Sequence, residues 1–310
     1  MELPRLDLSR WKKDVFERRA LARELRRAAA DPGFFTLARH VVPPELVAGI
    51  REQARSFFEQ PLEKKLEVHF EKARRQRGYI PLGAESSDPA GKGDVKEALD
   101  FTYPVPPSGV SEPVAYRMYG PNLWPEGLPG FRETVERYFG AMIGLGRTLF
   151  EIIATSLDLE PDYFADKTDR PIAQLRLLRY PPREGELGIG AHCDYECFTI
   201  LEGGATAGLE IQLPGGEWAA VDPLPGTFVV NLGEMLARWT NDVFRATPHR
   251  VRNRSGTERY SIPFFFGTNY DTWIERLSTC PGPERYPRIQ AGDYLARRLN
   301  EVYGSLADYS

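Results

Sequence analysis

Soft and borderline metal ligands are scarce in this chain, which has four histidines and three cysteines among 310 residues. Cys193, Cys197 and Cys280 are too few, and odd in number, for a disulfide framework, which favours a reducing, cytoplasmic setting. No stretch approaches the ~18 uncharged apolar residues of a membrane-spanning helix. The start, Met1-Glu2-Leu3-Pro4, lacks the basic and then apolar pattern of a secretory signal. Neither sign of charge dominates: 40 Lys and Arg against 44 Asp and Glu leave −4, so nothing suggests a nucleic-acid or membrane partner. Internal repeats and low-complexity segments are also missing. What remains is an ordinary globular composition, 42% hydrophobic and 12% aromatic, expected to be soluble and to meet small molecules.

The first half reads as helix. Asp14 to Ala30 carries a thin apolar stripe of Val15, Leu21 and Leu25, stopped by Asp31-Pro32-Gly33. A short strand is expected at Gly33–Leu37. A second helix runs from Pro44 to before Pro61, with Leu46, Ile50, Ala54, Phe57 and Phe58 on one face. Glu63 to Arg77, rich in Lys, Arg and Glu, reads as a solvated helix face or a loop. After Gly78-Tyr79-Ile80 and a Gly/Ser/Asp/Pro-rich segment to Gly93, order resumes at Asp94–Asp100. A proline-rich passage, Pro104 to Pro129, leads into a central helix, about Phe131 to Leu157, with a wide apolar face.

The second half changes texture. Gln174–Tyr180 is a strand, and short strand-like runs recur between turn signals such as Gly203-Gly204, Pro214-Gly215-Gly216 and Pro225-Gly226. That spacing suggests a double-sheet or barrel β fold. A final helix is expected from Ala291 to Tyr303. The chain divides into a helix-rich region (1–165), a β core (166–275) and a C-terminal segment (276–310).

Within the β core, Gly188-Ile189-Gly190-Ala191-His192-Cys193-Asp194 would put His192 and Asp194 on one side if extended. Pro248-His249-Arg250-Val251 follows much later, and Arg259-Tyr260-Ser261 after that. Two imidazoles and one carboxylate are the ligand set of a non-haem iron(II) site with open positions. A planar guanidinium suits a carboxylate bidentately, and a hydroxyl two residues on adds a donor on the same face. His40 and His69, beside helical or charged stretches, read as ordinary surface or core residues.

His192-X-Asp194, His249 and Arg259-X-Ser261 together resemble the iron(II)/2-oxoglutarate dioxygenases of the isopenicillin N synthase-like family. The flanks Leu175–Pro182, Gly226–Glu234 and Thr247–Val251 agree, as do Gly33-Phe34-Phe35 and the Pro61 region. The resemblance implies an α+β, mainly β fold: a double-stranded β-helix (jelly roll) core with a helical N-terminal region and a C-terminal helix. It implies that His192, Asp194 and His249 bind Fe(II), and that Arg259 and Ser261 hold the distal carboxylate of 2-oxoglutarate. The implied reaction oxidises a C–H bond with O2, by hydroxylation, desaturation or ring closure, while 2-oxoglutarate is decarboxylated to succinate and CO2.

The chain departs from many plant members at Leu178, where they carry asparagine. Arg176 is the expected replacement contact to the cofactor, as in bacterial ethylene-forming enzymes, with Tyr180 a second candidate. Cys193 replaces a threonine or serine and reads as a packing residue turned from the metal, whereas Glu196 shares ligand parity and can reach the pocket. Substrate contacts are expected from the Gly78–Tyr103 loop, Phe198, Phe264, Phe266 and the C-terminal helix, although each phenylalanine also fits a core. A 2-oxoglutarate-independent oxidase of the same family also carries Arg-X-Ser and stays open. A zinc-bearing jelly roll would leave Arg259 and Ser261 without a purpose. The aromatic content fits a small amphiphile, such as an amino acid, a nucleobase or a secondary metabolite.

Overall fold

A computed structural model describes residues 1–73, 77–85, 94–104, 118–182, 187–202, 208–222, 224–252 and 256–303. Asp14 caps α1 (Val15–Ala30) by accepting the N–H groups of Phe16 and Glu17, and Leu21, Leu25, Ala28 and Ala29 bury its stripe. α2 (Pro44–Phe58) opens on a proline, whose missing N–H is harmless in a first turn, and buries Leu46, Ile50, Ala54, Phe57 and Phe58. α3 (Leu62–Leu66) is a single short turn. α4 (Phe131–Ser156) buries Val135, Tyr138, Met142, Leu149 and Ile153 among others, and packs against both α1 and α2. α5 (Glu234–Trp239) and α6 (Ala291–Tyr303) complete the helices that bear on the site.

The strands, numbered along the chain, fall into two principal sheets. The larger runs β1 (Arg5–Asp7), β2 (Phe34–Ala38), β10 (Phe228–Leu232), β7 (Phe198–Glu202), β13 (Pro263–Phe266), β5 (Ala173–Tyr180), β4 (Glu97–Thr102), β3 (Gly78–Ile80), with β12 (Arg259–Ser261) also on β5. The smaller runs β6 (Leu187–His192), β11 (His249–Arg252), β8 (Leu209–Gln212), β9 (Trp218–Ala220). Among the described residues, β1 and β2 are the one parallel pair within these sheets, and β14 (Trp273–Ile274) with β15 (Ile289–Gln290) forms a separate small ribbon. This is the expected jelly-roll core with helices packed on it. The helix-rich first half also contributes β1 to β4 to the larger sheet, so its strands and the core share one hydrogen-bonded surface.

One face of the larger sheet packs on the helices. Phe198, Phe264 and Phe266 are fully buried there, with Phe139 against Phe264 and Phe150 against both Phe198 and Phe266. Of the two readings open for them, the core one holds: they are core residues on the side away from the cavity, not substrate contacts. The charged stretch after Glu63 also differs from a plain solvated face. Lys65 is buried and donates to Glu97 at 2.7 Å, and buried Arg77 donates to the carbonyl oxygens of Tyr119 and Ala73. Glu97 and Tyr119 come from a distant strand and segment, which local charge counting does not register. The Gly203-Gly204 turn, residues 86–93 of the expected substrate loop and residues 105–117 of the proline-rich passage lie outside the described residues.

Candidate active site

Alternation along the strands builds the cavity. On β5, Leu175 and Leu177 enter the core, while Gln174, Arg176, Leu178 and Tyr180 face a cavity of about 170 Å³. On β7, Thr199 and Leu201 face it. Past β12, Ser261 is followed by Pro263 and Phe265 on the same side. The smaller sheet contributes Ile189, His192, Leu209, His249 and Val251, and Leu299 of α6 also lines the wall.

β6 and β11 are antiparallel neighbours, and their register sets His192 opposite His249, with ring centroids 4.4 Å apart. Nε2 of each lies 3.5 Å from the same oxygen, Oδ1 of Asp194. Ligand atoms of all three residues fall within 4.8 Å of one another, a spacing that one divalent ion can bridge. Nδ1 of His192 lies 2.9 Å from the Gly190 carbonyl, and Nδ1 of His249 lies 3.2 Å from the Thr247 carbonyl. With the proton on Nδ1, donating to those carbonyls, both Nε2 lone pairs point to the common centre.

Asp194 is positioned in turn. Its Oδ2 accepts from the Thr199 hydroxyl and from Asn231 Nδ2 at 2.6 Å, so Oδ1 alone faces the imidazoles. Burial by itself would raise its pKa, but His249 and His192 together hold it well below the ordinary carboxylate range. For His249, burial favours the neutral ring, and Asp194 outweighs burial, so the pKa stands above 6.5. The loop carrying Asp194 is pinned from behind: Gly233, Glu234 and Met235 donate their N–H groups to the carbonyls of Cys197, Asp194 and Tyr195. A Cβ on Gly233 would collide with the Glu196 carbonyl, so only glycine permits this approach.

Arg259 and Ser261 pair with Tyr180 and Leu178 across β12 and β5. The Arg259 guanidinium is buried and stacks over the Tyr180 ring, 4.8 Å from its centroid. Its Nε and Nη1, and the Tyr180 hydroxyl, have no hydrogen-bond partner among the described residues. Buried donors left in that state are costly unless a ligand satisfies them. Ser261 and Tyr180 line the same cavity as the triad, so an anionic group there would sit within one enclosure with the metal ligands. The donor set fits a carboxylate, and the triad fits a divalent ion.

Arg176 also lines the cavity, but its guanidinium is engaged: Nε donates to Asp100 at 2.9 Å and Nη2 to Glu85 at 2.8 Å. Lys96 joins the group, 3.2 Å from Glu85 and 2.6 Å from Asp94. Burial would raise Glu85, but Arg176 and Lys96 pull it down to about 2, while burial pushes Asp100 up to about 7. Glu196 reaches the cavity as expected, and burial, with Asp194 nearby, pushes it up to about 7. Cys193 is not simply turned away, because the backbone bends after His192 and strand parity stops applying there. Its thiol borders the cavity, directs Sγ to the Ala246 carbonyl at 3.8 Å, and is pushed up to about 12 by burial. It is a packing residue with little thiolate character. His40 packs on Phe228, and neither His40 nor His69 lines the cavity.

Thr199, Asn231 and Phe265 are not foreseen from the sequence. The parity of Ser261 extends to Phe265 without interruption, so that signal was present. Thr199 and Asn231 carry no such mark, since their partner Asp194 is reached only in three dimensions.

Residues 171–268 match the profile of the 2OG-Fe(II) oxygenase superfamily, and residues 3–127 match that of the non-haem dioxygenase in morphine synthesis N-terminal family. The chain belongs to the 2OG-Fe(II) oxygenase superfamily. Among curated relatives, the 2-oxoglutarate-Fe(II) type oxidoreductase hxnY of Emericella nidulans is 34% identical, over 93% of this chain and 86% of its own. The homoarginine-6-hydroxylase 2-ODD-C23.1 of Arabidopsis thaliana is 33% identical over 92% of this chain and 86% of its own. The crystal structure of a full-length Neurospora crassa protein in complex with alpha-KG and thymine superposes with a TM-score of 0.87 at 28% identity, covering 97% of both chains. This oxygenase thus uses Fe(II), 2-oxoglutarate and O2 and acts on a small molecule; the 2-oxoglutarate-independent and zinc readings are not favoured. No helix among the described residues is long and apolar enough to cross a membrane.

Proposed function

We propose that His192, Asp194 and His249 hold the iron and that Arg259, Ser261 and Tyr180 hold the distal carboxylate of 2-oxoglutarate, to hydroxylate a small polar metabolite. The observation that carries this reading is the buried Arg259 guanidinium, with two donors that have no hydrogen-bond partner among the described residues, stacked on Tyr180, which lines one cavity with a triad whose Nε2 and Oδ1 atoms converge. The strand register supports this order of parts. β12 and β5 set Arg259 opposite Tyr180 and Ser261 opposite Leu178, and two further steps along β13 reach Phe265, opposite Gln174 and Thr199. Thr199 holds Asp194, so the carboxylate end and the metal end lie at opposite ends of one run of rungs. Arg176 lies between them, fixed by Asp100.

Iron(II) with 2-oxoglutarate and O2 supplies the oxidising power to break a C–H bond, yielding succinate and CO2. The chain's own residues do the rest. The Nδ1–H bonds of the two histidines fix which nitrogens face the ion, and Thr199 and Asn231 fix which oxygen of Asp194 does. Leu178, Ile189, Leu209 and Val251 give the cofactor end an apolar lining that strengthens Arg259's hold on an anion. Tyr195, Phe265 and Leu299 shape the substrate end.

The cavity admits small molecules only, and we place the enzyme in the cytosol without a nucleic-acid or membrane partner. That placement rests on three cysteines with no disulfide and a near-even charge balance. The relatives' substrates, homoarginine and thymine, point to a nitrogen-bearing polar compound such as an amino acid or a nucleobase. His192→Ala tests the triad: iron binding and substrate-dependent 2-oxoglutarate turnover should both be lost. Turnover retained by this variant would sink the assignment.

A further inference from the structure

Among the described residues, carboxyl groups outnumber cations around the substrate end. Beyond the metal ligands and Arg259, the described groups in or directly against the cavity are Glu85, Asp94, Asp100 and Glu196 on the acidic side, and Lys96 and Arg176 on the basic side. The two cations are both engaged within this group. Lys96 pairs with Glu85 and Asp94, and Arg176 pairs with Glu85 and Asp100. Glu196 makes no contact ion pair among the described residues, Arg176 acting on it only from a distance, although it borders the cavity two residues from Asp194. The cofactor end does not offset this excess. Iron(II), the Asp194 carboxylate, dianionic 2-oxoglutarate and Arg259 sum to zero charge.

The backbone around Glu196 is also held in place, and its carboxylate accepts from the N–H groups of Tyr195 and of Glu196 itself. The N–H groups of Gly233, Glu234 and Met235 bind the carbonyls of Cys197, Asp194 and Tyr195, and the Cys197 N–H binds the Phe266 carbonyl, so both sides of Glu196 are tied to the scaffold. Tyr195 beside it is braced by Arg298 of α6, 4.6 Å from the ring centroid. A fixed acceptor without a cation, beside the reacting centre and in a cavity whose other cations are already engaged, selects for positive charge in the ligand.

We propose that Glu196 is the specificity-determining residue of this oxygenase and that its substrate carries a cationic nitrogen, an amine or a guanidinium, which Glu196 receives. The inference rests on the cavity assignment made above. Glu196 accepts a charge-assisted hydrogen bond from that nitrogen and so fixes which C–H bond faces the metal. Neutral analogues of the same shape lose this contact and leave the carboxylate without a cation, so they are rejected.

The test uses the iron(II)-loaded full chain under anaerobic conditions, first with 2-oxoglutarate and then with matched probe pairs. The pairs differ in one cationic group: L-homoarginine against L-homocitrulline and L-lysine against L-norleucine at the side-chain end, and n-butylguanidine, which carries no second amine, against n-butylurea, with binding followed by calorimetry. In at least one pair, the cationic member should bind about tenfold or more tightly than the neutral one. Glu196→Gln, nearly isosteric, should abolish that preference while 2-oxoglutarate still binds as in wild type. If 2-oxoglutarate binds but no cationic probe outbinds its partner, or if Glu196→Gln keeps the preference, the inference is overturned and the cofactor assignment stands. If 2-oxoglutarate itself fails to bind, the cavity assignment falls, and this inference falls with it.

Discussion

Arg259→Met should separate stability from cofactor affinity in opposite directions. Arg259 is 5% exposed, and two of its guanidinium nitrogens have no hydrogen-bond partner among the described residues. The stack on Tyr180 returns only part of what desolvation costs, about 0.5–2 kcal/mol. Each unsatisfied buried donor costs about 1–3 kcal/mol. Methionine fills a similar volume without a charge, so the cofactor-free variant should melt no lower than wild type, and up to roughly 2–4 °C higher per kcal/mol regained. With 2-oxoglutarate the sign reverses. Loss of charge-assisted bonds worth about 1.5–3 kcal/mol should weaken binding by roughly 10- to 150-fold. Calorimetric titration of 2-oxoglutarate, with thermal melts at zero and saturating cofactor, reads both effects. Unchanged 2-oxoglutarate affinity in Arg259→Met would refute the reasoning, whatever the melts show.

Three further outcomes follow from the site and its walls. Asn231→Leu removes one of the two groups that hold Asp194 Oδ2, and should lower iron(II) affinity by about 10- to 100-fold in a chelator competition while the fold survives. Phe264→Ala and Phe265→Ala, adjacent in sequence, should diverge: the first opens a core cavity and costs about 3–5 kcal/mol in denaturant unfolding, whereas the second spares stability and raises KM. Metal affinity should fall as the pH is lowered. His249 is raised above 6.5 in the metal-free protein, and its proton must leave before Nε2 can bind, so iron affinity should drop by about tenfold per pH unit below that pKa. The sign for folding is the opposite: protonated His249 stabilises the metal-free fold below pH ~6.5, and that contribution is lost as pH rises through its raised value. A metal-free protein whose melting temperature is flat across this range would contradict the His249–Asp194 coupling.

The sequence carried the triad and Arg259-X-Ser261 because their chemistry is written in residue type and in a period of two. The strand parity that aligned Arg259 with Ser261 continues through Pro263 to Phe265, and stopping at Ser261 left Phe265 off the list of candidate substrate contacts. Parity failed at Cys193 for another reason: the chain bends after His192, so residues 193 to 196 all reach the cavity. The four long helices were legible to within a few residues, since each has an apolar stripe and α1 and α2 open on a cap or a proline, whereas the short α3 and α5 were not foreseen. What a single sequence could not show was the long-range pairing. Lys65 with Glu97, Arg176 with Asp100, and Thr199 and Asn231 with Asp194 join residues whose charge or polarity, read locally, looks like surface. The addition of β1 to β4 to the core sheet is of the same kind, because nothing in Phe34–Ala38 names β10 as its neighbour.

The most direct measurement is an anaerobic titration of the iron(II)-loaded protein with 2-oxoglutarate, followed in the visible range. A weak charge-transfer band should grow to saturation in wild type, be absent in His192→Ala, which does not hold the metal, and need far more cofactor in Arg259→Met. A wild-type protein that binds iron and gives no band at any concentration of 2-oxoglutarate would contradict the account.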